Sequence, residues 1–289
     1  MNTITLAKKY ASLLDETYRE NAKTAVLESD ASLAREGANA NEIVIPKLTM
    51  DGLADYSRNS GYVDGNVSLS WQTVKYSYER GRMFSVDAMD NEESQSIAFG
   101  ALAGEFVRTK AVPELDAFRF ASIAGTSGIS KESGDLATGE EAAAAVRKAV
   151  SVMDAAEVPS EDRVLFITPV LKGMIDDMDT TKSRAVMAGF DQIVVVPQSR
   201  FYSAVKLNDG VSGGEEGGGY SKASGGKNIN FMIVHKPAVI QFTKHALPKI
   251  ISPANNPDAD SWKYGYRSYG LCSVYENKAA GVYCHTATA

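Results

Sequence analysis

The stretch DAMDNEESQSIAFGALAGEFVRTKAVPELDAFRFASI, Asp87 to Ile123, predicts one very long helix. Asp87 or Asp90 can cap its start, because a side-chain oxygen there accepts bonds from the first free N–H groups of a helix. Apolar residues recur at the spacing of one helical face, and only Pro113 interrupts the pattern. About 35 residues span on the order of 50 Å, which exceeds the diameter of a small domain. We therefore expect a spine along which an extended subunit is laid out.

The composition of the 289 residues is that of an ordinary folded chain with a large core, at 44% hydrophobic and 23% charged residues. The net charge is −6 and no run of Lys or Arg occurs, which argues against a general nucleic-acid-binding face. No apolar run approaches the roughly 20 residues that span a bilayer. The first residues lack the order of a signal peptide, and two Cys in this length indicate a reducing compartment.

The segment before the spine falls into an arm and a ribbon. Residues 5–28 carry apolar side chains at helical spacing, which predicts an amphipathic helix that packs either on its own domain or on a neighbouring subunit. Residues 29–42 are small and polar and predict an extended connection. EIVIPKL, beginning at Glu42, predicts a short strand, and residues 51–66 predict a turn-rich tip.

VSLSWQTVKYSYERGRMFSV, residues 67–86, predicts a long strand that returns from this tip. Val67, Leu69 and Trp71 share one phase of the alternation, whereas Val74, Tyr76 and Tyr78 have the opposite phase. This change predicts a bulge or a switch in which face is covered. A two-stranded ribbon is marginally stable alone in water, so its aromatic face needs a partner from its own domain or from another subunit.

The segment after the spine predicts a compact α/β domain followed by more strands. A loop at 125–139 marks a domain boundary, and Thr138 or Gly139 opens a helix. Further elements are predicted as follows: strands at 163–168 and 192–197, a helix from Pro169, a flexible Gly-rich surface loop at 208–228, strands within 231–242, and a final hairpin of SYGLCSVY, the turn ENKAAG and VYCHT.

No constellation of residues predicts catalysis, cofactor binding or metal binding, so the sequence indicates a structural or binding protein and not an enzyme. His235, His245 and His285 are far apart, and we interpret them as structural. Cys272 and Cys284 lie on the two arms of the predicted final hairpin. A disulfide between them is geometrically conceivable, but free packed thiols are favoured.

Two further clusters also lack the spacing of a site. Gly225–Gly226–Lys227 is followed by Asn228, where a phosphate-binding loop needs Ser or Thr, and it precedes a strand. Asp176, Asp177 and Asp179 end a helix without the acceptor-rich loop that binds a cation, so we interpret them as a solvated face.

The order of these elements, and several segments within them, resemble the major capsid proteins of tailed double-stranded DNA bacteriophages. This is the Hong Kong 97 phage-like capsid fold, an α+β fold with an N-terminal arm, an extended β-ribbon loop, a spine helix, a peripheral domain and an axial domain. The segments that carry the resemblance are KKYASLLDETYRENAKT, SLSWQTVKYSYERGRMFSVDAMDNEES, GEFVRTKAVPELDAFRF, VVVPQSRFY and WKYGYRSYGLCSVYENKAAGVY.

The resemblance implies a division of the chain. It places the N-terminal arm at 1–42, the extended loop at 43–86, the peripheral domain with its spine helix at 87–124 and 245–289, and the axial domain at 125–244. The extended loop would lie over an adjacent subunit. The Gly-rich loop would lie at a capsomer centre or on the outer surface.

The implied function is a structural one. Pentamers and hexamers of this chain would form the icosahedral or prolate head around the DNA genome, with a portal and a separate scaffolding protein as partners, and with no sequence-specific DNA binding and no membrane. The protein would be in the virion, assembled in the bacterial cytoplasm. The tip at 51–66 has Arg58 but no Lys, so we expect no Lys–Asn crosslink between subunits. The alternatives are a bacterial nanocompartment shell of the same fold, or a soluble α/β ligand-binding protein or enzyme.

Overall fold

A computed structural model describes residues 22–29, 35–36, 42–93 and 97–288. The helices are Ala88–Glu93 (α1), Ile97–Phe106 (α2), Val112–Gly125 (α3), Gly139–Ala155 (α4), Pro169–Asp177 (α5) and Thr181–Met187 (α6). The strands are Arg35–Glu36 (β1), Glu42–Met50 (β2), Val67–Lys75 (β3), Tyr78–Asp87 (β4), Ser130–Ser133 (β5), Arg163–Ile167 (β6), Gln192–Val195 (β7), Val205–Leu207 (β8), Tyr220–Lys222 (β9), Ile229–His235 (β10), Val239–Ile251 (β11), Ser261–Val274 (β12) and Val282–Thr286 (β13).

The long helix predicted at Asp87–Ile123, called the spine below, is present as α1, α2, a π-helical segment at Val107–Ala111, and α3. Residues 94–96, between α1 and α2, lie outside the described residues. The Asp87 carboxylate accepts a hydrogen bond from the Met89 N–H at 2.9 Å, as a cap should. The irregularity lies just before Pro113 and not at it: the Val112 N–H donates to the Val107 carbonyl, five residues back. Proline has no N–H and crowds the carbonyl four residues earlier, so a widened turn accommodates it.

The centre of the molecule is a five-stranded sheet in the order β5-β13-β10-β6-β7. Its middle strands are mostly apolar and buried, because both faces of the sheet are covered. On one face, α4 and α5 pack through Val146, Met153 and Ile175. On the other face, α3 packs through Phe120 and Ile123.

The helices and strands predicted for this domain are present, and the structure adds α6 and the strands β5, β8 and β9. Thr138 caps α4 through a capping box, in which its hydroxyl accepts from the Glu141 N–H and the Glu141 carboxylate accepts from the Thr138 N–H. The loop predicted at 125–139 contains β5, which pairs in parallel with β13. No apolar alternation marks this edge strand in the sequence.

A second sheet has the order β11-β12-β4 and packs against the spine. The rings of Phe84 and Tyr264 on this sheet lie 4.9 and 6.5 Å from that of Phe106 on α2. Val107, the first residue of the π-helical segment, and Val112, which follows that segment, are fully buried in the same cluster. At Gly104, by contrast, an added Cβ would meet nothing within 4 Å, so no other described part of the chain approaches the spine closely there.

The predicted C-terminal hairpin is wrong. β12 pairs with β11 and β4, whereas β13 pairs with β10 and β5, so the two strands belong to different sheets. A 3-10 segment, Glu276–Gly281, carries the chain from one sheet to the other. It is held by close packing: a Cβ at Gly281 would lie 2.7 Å from that of Ala238. Six residues with two buried positions form a crossing and not a hairpin turn.

The helix predicted for residues 5–28 is wrong for residues 22–28, the part of it that the structure describes. Residues 22–29 form a turn and a 3-10 segment, Ala25–Leu27. The Asp116 carboxylate accepts the N–H groups of Lys23 and Thr24, which holds the backbone out of an α-helix. Residues 5–21 lie outside the described residues, as does most of the extended connection predicted at 29–42, of which β1 is described.

No helix within the described ranges is both long enough and apolar enough to cross a membrane.

Candidate interaction surface

The ribbon predicted from the sequence consists of β2 and β3, joined by an exposed tip. The strands are antiparallel, with Pro46 opposite Trp71, Leu48 opposite Leu69, and Met50 opposite Val67. Directly opposed residues point to the same face of a sheet, so these six side chains form one apolar stripe. Trp71 is 48% exposed and Val67 is 70% exposed.

The face of the ribbon that is covered changes along its length. Near the body, Ile43, Ile45 and Val74 are buried against Ile240 and Leu271 of the second sheet. Further out, the same face carries Lys47 and Thr49 opposite Ser70 and Ser68, and the apolar residues are on the other side. The ribbon therefore has a covered apolar face at its base and an uncovered one towards its tip.

The phase change predicted in residues 67–86 is confirmed. Strand β3 ends at Lys75 and β4 begins at Tyr78. At this break the chain leaves its pairing with β2 and joins β12. Val74 and Tyr78 are buried, and the ring of Tyr76 stacks on that of Tyr269 at 4.8 Å, so this phase faces the body of the protein.

The large apolar side chains of the tip, residues 51–66, are mostly exposed. Leu53 is fully exposed, and Tyr62 is 89% exposed. The Tyr56 and Tyr62 rings meet edge-to-face at 4.9 Å, and the Asp51 carboxylate accepts from the Asn66 N–H at 2.8 Å. The tip is thus shaped by its own local contacts and presents aromatic rings to its surroundings. A contiguous exposed apolar patch of this kind marks an interaction site.

A buried ion pair fixes β4 to the spine. Arg80 Nε donates to Glu114 Oε1 at 2.7 Å, and the Tyr78 hydroxyl donates to the same oxygen at 3.3 Å. Burial and the nearby Glu114 carboxylate raise the pKa of Tyr78 well above its usual value, so the hydroxyl stays a donor.

The Gly-rich segment lies beside this ion pair. Its arms are β8 and β9, and Arg80 Nη2 donates to the carbonyl oxygens of Asn208 and Gly219 at 2.6 and 3.2 Å. Arg82 Nη2 donates to the Glu216 carbonyl at 3.0 Å. A cleft of about 1090 Å³ separates this segment from the spine. The segment predicted as a flexible surface loop is therefore a hairpin tied to β4.

The two cysteines that the sequence singled out lie in different sheets, Cys272 on β12 and Cys284 on β13. Cys272 and Cys284 are free and buried, as expected, and burial raises the pKa of each thiol to about 12. His285 is buried, with its Nδ1 atom 3.1 Å from Asn230 Nδ2, and burial lowers the pKa of His285. Within the described ranges, no three His, Cys, Asp or Glu side chains converge as metal ligands.

The acidic cluster near the end of α5 is solvated and paired. Asp176 accepts from Lys172 at 2.5 Å, and Asp179 accepts from Arg184. Both pairs are exposed, which fits the interpretation of a solvated face.

No family model matches the sequence, and no curated protein matches it. Solved structures match the fold. The structure from Gordonia phage Cozz has a TM-score of 0.60 at 12% identity, over 93% of this chain and 87% of that one. The mature capsid of bacteriophage PhiM1 has a TM-score of 0.59 at 10% identity, over 86% and 82%. The virus-like particle from Pyrococcus furiosus has a TM-score of 0.58 at 11% identity, over 97% and 99%.

The chain has the Hong Kong 97 phage-like capsid fold. The sequence predicts both the ribbon and the long helix that the structure contains. It does not predict the contacts of Arg80 and of Asp116, because a single charged residue in a strand or helix carries no periodic signal of its partner.

Proposed function

We propose that the chain is the major capsid protein of a tailed double-stranded DNA bacteriophage, and that copies of it form the shell of the head. The observation that carries this proposal is the apolar stripe of the ribbon, which its own subunit leaves uncovered. Three cross-strand pairs of apolar residues in water are costly for a lone subunit, and they are stabilising when a second copy covers them, at about 25 cal/mol per Å² buried.

The division of the subunit that we propose is the one that the resemblance implies. Residues 1–42 are the arm, 43–86 the extended loop, 87–124 with 245–289 the peripheral domain, and 125–244 the axial domain. Strand β13, at 282–286, hydrogen-bonds within the sheet of residues 130–235, so a division that follows the sheets assigns it to the axial domain.

The partners proposed are further copies of the chain in pentamers and hexamers, a portal, a separate scaffolding protein and the enclosed DNA. The net charge of −6 supports a container that holds DNA without tight binding, because affinity for phosphates requires clustered cations. The role is structural and not enzymatic, and the site of action is the virion after assembly in the bacterial cytoplasm. A nanocompartment shell has the same fold, but it is not favoured, because most of the named structural matches come from phages.

Electron microscopy of the purified chain tests the proposal. We expect rings, tubes or closed shells after incubation across a range of salt concentrations, with a scaffolding protein from the same genome added where the chain alone stays unassembled. A chain that remains a monomer under all of these conditions would rule out the proposed function. Shells that hold a protein cargo and exclude DNA would instead support the nanocompartment.

A further inference from the structure

The segment 22–29 is attached to the body mainly through polar groups. Thr24 lies between two buried charges of α3: its hydroxyl donates to Asp116 Oδ1 at 2.7 Å and accepts from Arg119 Nη1 at 3.1 Å. Glu28 accepts from Arg119 Nη2 at 3.3 Å and from Gln241 Nε2 at 3.0 Å.

Its apolar attachment is small. Leu27 is the one large side chain of this segment that is fully buried, while Ala22 is small and Val26 is only partly buried. At the end of the segment, the Ser29 N–H donates to the Gln241 carbonyl at 3.0 Å, which covers the outer edge of β11. A segment held by hydrogen bonds and one leucine opens at lower cost than a core element.

The charged groups beneath the segment, Asp116 and Arg119, can pair with each other when the segment leaves. Asp116 and Arg119 are three residues apart on one helix, so their side chains lie on the same face. Both bond the same Thr24 oxygen, which places the carboxylate and the guanidinium within about 6 Å of each other. Asp116 also accepts from Arg200 Nη1 at 3.2 Å, so the carboxylate keeps a second cation.

We propose that residues 22–29 are a detachable latch, and that Asp116 and Arg119 bind each other directly when the latch opens. Arg119 keeps its bond to Thr243 Oγ1 at 2.9 Å, and a direct pair with Asp116 restores a charged partner to the guanidinium, so the body stays folded. Opening frees residues 22–29 from the spine and exposes the edge of β11. The latch is a property of the isolated subunit, and it stands or falls independently of whether the chain forms a shell.

Hydrogen exchange of the full chain tests whether the latch opens separately. Thr24→Val removes the hydroxyl and keeps the shape of the side chain. We expect the amides of residues 23–29 to exchange about tenfold faster, while those of α3 and the five-stranded sheet keep their rates. Thr126→Val is the matched control, because that hydroxyl donates to the Ser122 carbonyl at the end of α3, away from the latch. A parallel acceleration of α3 and the latch, or no change in the latch, would overturn the proposal.

A second measurement tests the pair itself. The opening equilibrium of residues 23–29 is compared in Asp116→Asn, Arg119→Gln and the double variant. If the open state contains the pair, each single variant destabilises both the closed and the open states, and the double variant loses the pair only once. The double variant then opens at least fivefold more than the product of the two single effects. An effect equal to that product or smaller would show that no pair forms. If either variant fails to fold, the Thr24→Val result still decides whether the latch is separate.

Discussion

Arg80 on β4 and Glu114 on the spine form an ion pair at 2.7 Å, with 24% and 11% of their side chains exposed. The same guanidinium donates to the carbonyl oxygens of Asn208 and Gly219 in the Gly-rich hairpin. One side chain therefore joins the continuation of the ribbon, the spine and the hairpin. This junction ties β4, the strand that continues from the ribbon, to the body of the subunit.

Loss of Arg80 should destabilise the subunit. Arg80→Ala leaves the mostly buried Glu114 carboxylate without its cation and removes two bonds to the hairpin, so we expect unfolding free energy to fall by about 2–3 kcal/mol. Arg267→Ala is the matched control, because its pair with Glu79 is exposed and should contribute about 0–1 kcal/mol. Urea denaturation measures both. Equal losses in the two variants would contradict the role of the junction.

The spine and the ribbon could be predicted because their signals are periodic and local. The Asp87 carboxylate caps the helix through the N–H of Met89, two residues later. The change of phase between Trp71 and Val74 can be read directly from the alternation of apolar and polar residues. The prediction of a final hairpin was wrong because β12 and β13, although close in sequence, belong to different sheets. Which sheet a strand joins depends on partners such as β10, which are distant in sequence.

The candidate surface was only partly predictable for the same reason. The sequence showed that the ribbon needs a partner, but not which half of it the subunit covers. That depends on Ile240 and Leu271, which lie far from the ribbon in the sequence. The helix prediction was wrong at residues 22–28 because the N–H groups of Lys23 and Thr24 donate to the Asp116 carboxylate and not to carbonyls of a helix.

Trp71→Ala should impair assembly without destabilising the subunit. Trp71 is half exposed in the subunit, so truncation should change the unfolding free energy by less than about 0.5 kcal/mol. If a neighbour buries about 100 Å² of the ring, the contact loses about 2.5 kcal/mol per copy, and shell yield should fall at least about tenfold. Val211→Ala, at an exposed apolar residue in the Gly-rich hairpin, is the control. Sedimentation gives the yield, and an unchanged yield would show that the ring is not an assembly contact.

The two cysteines should be inert in the folded chain. Burial raises the pKa of Cys272 and Cys284 to about 12, and the thiolate is the reactive form. At pH 8, we expect a thiol reagent to modify less than about 0.1 thiol per native chain and both thiols after denaturation. Val211→Cys provides an exposed thiol as the positive control. Rapid reaction of the native chain would show that one cysteine is accessible.

Asp209 should titrate far below an ordinary aspartate. Hydrogen bonds from the Ser212 hydroxyl and from the Val211 and Ser212 N–H groups lower its pKa to about 2. Since the folded pKa lies below the ordinary value of 3.8, this stabilisation of the hairpin is present above pH 3.8 and is lost as pH falls towards 2.

The titration of the Asp209 carboxyl carbon by nuclear magnetic resonance measures this pKa. Ser212→Ala removes the largest cause and should raise the midpoint towards 3.8. Ser221→Ala, in strand β9, should leave it unchanged. A midpoint near 3.8 in the unaltered chain would show that the turn at 209–212 does not form in solution.

Substitution by alanine should lower the stability of the chain at Gly139 and raise it at Gly104 and Gly173. At Gly139, the first residue of α4, a Cβ would lie 2.3 Å from the Met174 carbonyl oxygen, which is backbone and cannot move aside cheaply. We expect Gly139→Ala to destabilise the chain by about 1–3 kcal/mol. At Gly104 and Gly173, both inside helices, a Cβ would meet nothing within 4 Å. There, alanine should stabilise the chain by about 0.5–1 kcal/mol, because it restricts the unfolded backbone. Thermal unfolding of the three variants gives the order, and destabilisation by Gly104→Ala would mean that another part of the subunit packs against the spine at that position.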